Sequence, residues 1–442
     1  MCKERDQLLM EVMDWQEEYF INHVKERKPQ KGTIYTKDYE EGFFITPEAC
    51  SLGEPVYLDV PDLDTMKKLC NPDELVAMGE YGSLCGELPE WEAADSLRDF
   101  SDFSILEKSA LCDAFNQYVY RDSSLVKSYK QPLNQYYFPM KVPVFEYEDI
   151  VVTKGHPLYI GKEGDEPTIV HFRNMTLEKG AQVITRGVVQ VISDKVKSLG
   201  TKAEPDILAS VGNNGADNTG AAAQGATGDP GTPGTSGTSG KNSCSIQPSS
   251  GGPGGTGKTG ALGKSGWNGT NGGILEKKQR VMEGFFYVYS NGGNGGNAGR
   301  GGKGGTGGNG GDAAPANGHC PAGNPGTGGN GGVGGIGGNG GNGGDGKEVN
   351  IMYNQEASPT AKFKVLTPAQ AVNMGLPNAA GGTEGAGGFA GEGGIGGRCY
   401  DASGKLVPSG DTYKGQPGVP GSDGDAGETG SPGDIFINGT YI

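Results

Sequence analysis

Glycine stands at every third position in six separate runs, at 225–240, 254–272, 293–311, 323–344, 382–397 and 415–433. Six registers of this length are not produced by chance and constrain the chain more than any other feature. A left-handed extended helix has three residues per turn and rises about 3.1 Å per residue, so glycine at this period bares one edge of it. Such a helix has no internal hydrogen bonds, and its backbone N–H and C=O groups must find partners on neighbouring segments. The runs are short, interrupted and mostly poor in proline, which favours packing within one chain over a collagen-type trimer or a disordered tract.

The period divides the chain. Only 12 of the 83 glycines fall within residues 1–210, and the rest lie in 211–442. The first part has ordinary globular content. Residues 4–27 repeat Leu8, Val12, Trp15 and Tyr19 at helical spacing, the pattern of a core-facing helix. From about residue 146 the period shortens toward two, with short apolar stretches at 150–152, 157–160, 168–172, 181–184 and 187–192. Further strand-like stretches stand between the glycine runs at 284–289, 348–353, 362–366 and 434–438.

Three regions follow from this reading. They are an acidic α/β region at 1–145, a short-strand β region at 146–210, and a glycine-rich region at 211–442 with interleaved strands and tip loops. The fold class expected is multidomain. An N-terminal α/β region leads to a β platform or β-solenoid, then to a six-run bundle of the polyglycine-II or polyproline-II type. Runs three and four read X-Gly-Gly and belong inside, because two bare edges admit neighbours on several sides. Runs one and six, with one bare edge, belong at the margin.

Asn291 to Asp312 and Asn324 to Asp345 carry this X-Gly-Gly pattern. The glycine-rich half resembles the polyglycine-II sandwiches of T-even-like phage long tail fibre adhesins and of snow-flea-type antifreeze proteins. The resemblance implies a repertoire of surface binding. In the phage adhesins the loops at the exposed end recognise the host surface. Carried to this chain, the candidate binding residues are Ser245, Gln247, His319, Tyr400, Asp401 and Tyr413. A Thr232, Thr235, Thr238 ladder on the first run would, on the antifreeze side of the resemblance, face ice.

An up-and-down path puts the connections 241–250, 312–322 and 398–414 at one end, each with one cysteine in or beside it. Cys244, Cys320 and Cys399 therefore read either as free loop thiols or as two partners of a disulfide with one left over. Cys2, Cys50, Cys70, Cys85 and Cys112 show no metal-ligand spacing.

Charge and motifs narrow the function classes. Residues 1–150 carry 30 acidic against 15 basic side chains, within a net charge of −16 for the whole chain. Such a surface argues against nucleic-acid binding and suits a docking partner for the N-terminal region. Residues 252–259 match the phosphate-loop pattern G-x-x-x-x-G-K-[ST], but the glycine period continues past it and forbids the helix that the motif requires. His23, His156, His171 and His319 lie far apart and fit no nucleophile or zinc motif. No catalytic residue, cofactor or metal is assigned, and the chain is expected not to be an enzyme.

The leading reading is a non-enzymatic surface-recognition or adhesin protein with tip loops that meet a glycan or protein receptor. A structural or filament-forming protein and an ice-binding protein are the alternatives, and a homo-oligomer belongs with the former. The N-terminus shows no secretion signal and no apolar run reaches membrane-spanning length. Synthesis in the cytoplasm is expected, with the final location left open between there, a virion and an extracellular surface.

Overall fold

The computed structural model describes residues 2–24, 30–47, 54–84, 88–91, 98–164 and 167–442, with Leu52 and Gly86. Its helices are α1 (Cys2–His23), α2 (Leu63–Cys70), α3 (Asp73–Val76), α4 (Ile105–Tyr120), α5 (Lys130–Tyr137) and α6 (Pro368–Asn373). Their starts are written in the sequence. Asp62 caps α2 by accepting from the Thr65 N–H at 2.7 Å, and Ser104 with Glu107 forms a reciprocal capping box on α4. Thr367 and Gln370 do the same for α6, which has Pro368 in its first turn.

The strands up to the first glycine run are β1 (Gln30–Tyr35), β2 (Phe43–Ile45), β3 (Val56–Val60), β4 (Met140–Val152), β5 (Leu158–Ile160), β6 (Thr168–Leu177), β7 (Gln182–Thr185), β8 (Val188–Ser198) and β9 (Asp206–Val211). At its end and beyond come β10 (Thr238–Ser239), β11 (Cys244–Ile246), β12 (Ile274–Glu283), β13 (Phe285–Asn291), β14 (Val349–Tyr353) and β15 (Lys362–Val365). The last are β16 (Arg398–Tyr400), β17 (Leu406–Pro408), β18 (Ile435–Ile437) and β19 (Thr440–Tyr441).

Two sheets form the centre. The larger runs β1-β4-β6-β8-β12-β14-β18-β19, with β3 antiparallel on β4. The smaller runs β15-β13-β9-β7-β5-β2 and is parallel throughout. From β4 onward successive long strands go alternately to one sheet and the other. Gly284 makes one of these crossings between β12 and β13 at φ +100°, where a side chain would also strike Ser198 O.

Apolar side chains fill three layers. Helices α1, α2, α4 and α5 pack on the larger sheet through residues such as Leu9, Leu63, Leu111, Leu133 and Ile169. The two sheets pack face to face through Phe43, Phe172, Met282, Phe286 and Ile351. Helix α6 covers the outer face of the smaller sheet around Tyr289 and Ala371. Parallel strands covered on both faces explain the near-continuous burial of β9 and β14.

Ion pairs tie the helices to strands from the glycine-rich half. Buried Arg121 at the end of α4 pairs with buried Glu348. Arg280 on β12 reaches Asp14 of α1 at 2.7 Å and Asp194 of β8 at 3.2 Å. Arg5 donates to Asn438 O at 2.6 Å.

The glycine runs leave and re-enter these sheets. Residues 212–273 leave β9 and return to β12, residues 292–348 link β13 to β14, and 379–434 return to β18. The extended segments exchange backbone bonds at each third residue. Gly228 N–H meets Thr306 O at 2.8 Å, Gly304 N–H meets Phe389 O at 2.8 Å, and Gly257 N–H meets Asn330 O at 2.9 Å. Gly308, Gly332 and Gly391 donate in turn to Gly255 O, Gly305 O and Gly332 O. At Gly335 an added Cβ would lie 1.9 Å from Ala261 O, so glycine is required there by contact rather than by φ.

The expected fold class is therefore corrected. The chain is a mixed α/β fold with dispersed helices and two parallel or mixed sheets, not a β-solenoid followed by a six-run polyglycine-II bundle. Strands that precede a glycine-rich excursion pair with strands that follow it, β8 with β12, β12 with β14 and β14 with β18, so the core lies in the sheets and the runs are excursions from it. The collagen-like description fails for the same reason: the carbonyl partners belong to this chain and are anchored by its sheets. The glycine period dictates close approach, whereas the apolar strands decide where the core forms.

Candidate functional site

A large concavity lies where α4 and α5 meet the larger sheet. A groove of about 760 Å³ is lined by Cys112, Phe115 and Asn116 of α4, Tyr136 and Tyr137 of α5, and Pro139, Met140 and Val188. A smaller cleft of about 180 Å³ shares Asn116 and Val188 with it and adds Asp113, Glu163, Asn271 and Lys347. The two form one channel that runs from the aromatic wall toward the roots of the glycine-rich segments.

Helical spacing builds one side of it. Cys112, Phe115 and Asn116 are three and four residues apart on α4 and therefore share a face. Phe115 lies against Tyr137 with ring centroids 5.8 Å apart, and Tyr136 meets Phe103 edge-on at 5.3 Å. The Cys112 Sγ and Tyr137 hydroxyl are 3.6 Å apart. Burial, then the contact with Cys112, pushes the Tyr137 phenol up from its ordinary value, so it stays protonated at neutral pH. Apolar rings with a few convergent amide, carboxylate and hydroxyl groups are the usual composition of a ligand seat.

The residues singled out in the sequence lie elsewhere. Cys244 and Cys320 are joined by a disulfide with Cα atoms 4.7 Å apart, while Cys399 is a free, half-buried thiol. Ser245 and Gln247 are exposed beside that disulfide. His319 is brought to the same end, where its backbone N–H donates to Ser239 Oγ at 3.0 Å. Tyr400 and Asp401 belong to the separate hairpin β16–β17, which Arg398 fastens to Asp312 at 2.5 Å. Asp401 is occupied in closing that hairpin, accepting from Ser403 and Lys405. Tyr413 is half-buried, and its carbonyl accepts from Gly328 N–H at 2.7 Å.

Residues 252–259 form no phosphate cradle. The N–H groups of Gly252, Gly254, Gly255, Gly257 and Lys258 are committed to carbonyls of Thr232, Thr327, Asp229, Asn330 and Ala226. Among the described residues no group of three or more His, Cys, Asp or Glu side chains could hold a metal ion. No helix among them is long and apolar enough to cross a membrane.

No known protein family matches the chain, and no curated protein does. Among solved structures, it is similar to the nine polyproline type II helical bundle springtail antifreeze protein from Granisotoma rainieri, at 20% identity. That alignment covers 48% of this chain and 93% of the other, with a TM-score of 0.06. So low a score carries no argument. The packing of the chain itself corrects the resemblance to polyglycine-II sandwich proteins to a globular α/β fold with cross-sheet packing, ion pairs and a disulfide. The adhesin reading is corrected with it, as are the filament and ice-binding alternatives. Buried ion pairs, the disulfide and clustered aromatic rings describe an extensively packed body, unlike an extended adhesin or antifreeze bundle.

Proposed function

We propose that this chain acts by binding rather than catalysis, and that its N-terminal helical layer docks a partner segment in the channel beside α4 and α5. The observation that carries this reading is the aromatic wall of Phe115, Tyr136 and Tyr137 facing an open groove of about 760 Å³. The channel itself is lined by both signs of charge, through Asp113, Glu163, Lys141 and Lys347. The surrounding region is acidic, with 30 acidic and 15 basic residues in 1–150. The partner is therefore a peptide segment with a large apolar or aromatic side chain flanked by lysine or arginine, drawn in by long-range charge and held by the rings. The Cys244–Cys320 disulfide supports an oxidising final location such as an extracellular surface.

Fluorescence polarisation with three labelled peptide sets tests this: aromatic with basic flanks, alanine with basic flanks, and aromatic with acidic flanks. The first set is expected to bind with Kd on the order of 10 μM, about −7 kcal/mol. Tyr137→Ala and maleimide on Cys112 are each expected to abolish that binding. Equal binding by all sets, or binding indifferent to both changes, would sink the proposal.

A further inference from the structure

Strand β12 turns Glu276 and Lys278 toward the helices, and both are fully buried. Asn350 stands directly beside Glu276 on β14 and is also fully buried. Its carboxamide is held at both ends. The Nδ2 group donates to Glu276 Oε2 at 2.9 Å, and Oδ1 accepts from the Tyr81 hydroxyl at 3.0 Å. Tyr81 tilts against Phe436 with centroids 4.9 Å apart, and the Arg121 guanidinium lies over both rings. Water is excluded from this carboxamide on the ring side.

The carboxylate beside it is unusual. Glu276 Oε1 has no hydrogen-bond partner among the described residues. Burial raises this carboxyl to about 7, against the lowering influence of Arg121 and Lys278, so it both carries and releases a proton near neutrality. Lys278 donates through Nζ to Cys70 O. Burial lowers its ammonium pKa, against the opposing pull of Glu276 and Cys70. An amine, a polarised carboxamide and a proton-shuttling carboxyl thus share one dry site.

We propose that Lys278 and Asn350 become joined by an isopeptide bond that ties β12 to β14. Lys278 sits two residues beyond the Glu276–Asn350 pair, so its Cα lies roughly 8 Å from that of Asn350 by strand geometry. The four-carbon stem spans that gap by swinging Nζ from Cys70 O toward Asn350 Cγ. The neutral amine attacks Cγ, and the Tyr81 hydroxyl stabilises the charge that develops on Oδ1. Glu276 takes a proton from the attacking nitrogen and delivers one to Nδ2. The Cγ–Nδ2 bond breaks and ammonia leaves, so atoms and charge balance without oxidant or metal. The product replaces a buried amine with a neutral amide whose N–H still suits Cys70 O.

Mass spectrometry of the purified full-length chain, reduced and denatured, reads the reaction directly. The expected mass is lighter than the sequence by one ammonia, and a digest yields a branched peptide joining Lys278 to Asn350. Lys278→Arg is expected to carry no deficit. Glu276→Gln, shown to be folded by circular dichroism, is expected to lose the branched peptide as well. A chain at its full sequence mass, a linear peptide carrying unmodified or deamidated Asn350, or a deficit mapped elsewhere overturns the proposal.

Discussion

Asn297 accepts the backbone N–H of Thr383 through its side-chain Oδ1 at 2.9 Å. The relationship repeats across the outer faces of the glycine-rich segments. Asn268 accepts from Asn342 N–H at 2.8 Å, and Asn342 in turn accepts from Glu428 N–H at 2.9 Å. Glycine N–H groups reach carbonyls on neighbouring segments, but at Thr383, Asn342 and Glu428 the outward N–H is met by a side chain instead. An Asn or Asp on the adjacent segment supplies the acceptor, as Asp345 does for Ser431 at 2.8 Å. This accounts for the recurrence of Asn at the third position better than solubility does.

Removing one such acceptor should have a small, chemically specific effect. Asn342→Leu leaves the Glu428 N–H to solvent and is expected to cost about 0.5–1.5 kcal/mol, the usual net worth of one hydrogen bond. Asn342→Asp keeps the acceptor and should stay close to wild type. Chemical denaturation of the two variants compares them. Equal losses would mean that the side chain acts by something other than accepting this bond.

Glycine positions should separate into two sharply different groups. At Gly335 a methyl would sit 1.9 Å from Ala261 O, which is backbone and cannot step aside. Gly335→Ala is expected to cost about 3 kcal/mol or more, the upper range for overpacking. Gly220 has nothing within 4 Å of an added Cβ, and its replacement by alanine should fall within about 0.5 kcal/mol of wild type. Matching melting curves for the two variants would contradict the close approach at Gly335.

The cysteines offer an independent check on burial and connectivity. Under non-reducing native conditions Cys112 and Cys399 should alkylate readily. Cys70 is buried, and its thiol is pushed up to about 11 by burial, so it should react only after unfolding. Cys244 and Cys320 should require reduction first. Cys320→Ser opens a link between residues 76 apart and is expected to lower stability by about 2–4 kcal/mol. Peptide-mapped alkylation and a denaturation curve read both effects, and native labelling of Cys70 would refute the packing of α2.

Sequence made local structure legible more readily than it did pairing. The repeat Leu8, Val12, Trp15 and Tyr19 falls on α1, with Val12 buried and the other three half-buried beside the fully buried Leu9, Met13 and Phe20, and the apolar stretches at 168–172, 187–192, 284–289 and 348–353 fall on β6, β8, β13 and β14. Which strand lies beside which was not readable. β8 pairs with β12 across more than 70 residues that include β9 and a glycine-rich excursion, and no local pattern encodes that register. The channel was equally hidden, because its walls come from residues as distant as Cys112 and Lys347 with no motif between them. The charged stretch Glu276-Lys277-Lys278-Gln279 reads as solvent-facing, yet all four are buried because helices cover one face of β12 and the second sheet covers the other.

Lys277 gives that burial a pH signature. It is buried, and its Nζ has no hydrogen-bond partner among the described residues. Burial alone lowers its ammonium from 10.5 to about 7. Above 10.5 the amine is neutral in folded and unfolded chains alike, and its titration costs the fold nothing. As pH falls from 10.5 toward 7 the unfolded chain binds the proton first, so this residue drains stability across that window. Below 7 both states are charged and the loss is complete. Lys277→Met removes the titration while keeping the length of the side chain. It is expected to stabilise the protein by about 1–4 kcal/mol at neutral pH, as apolar replacement of buried charge does elsewhere. The gain should shrink as pH rises toward 10.5. Denaturant titrations at several pH values across that window measure the difference between the two chains. A variant less stable than wild type at every pH would show that the amine is satisfied inside the sheets and contributes to the fold.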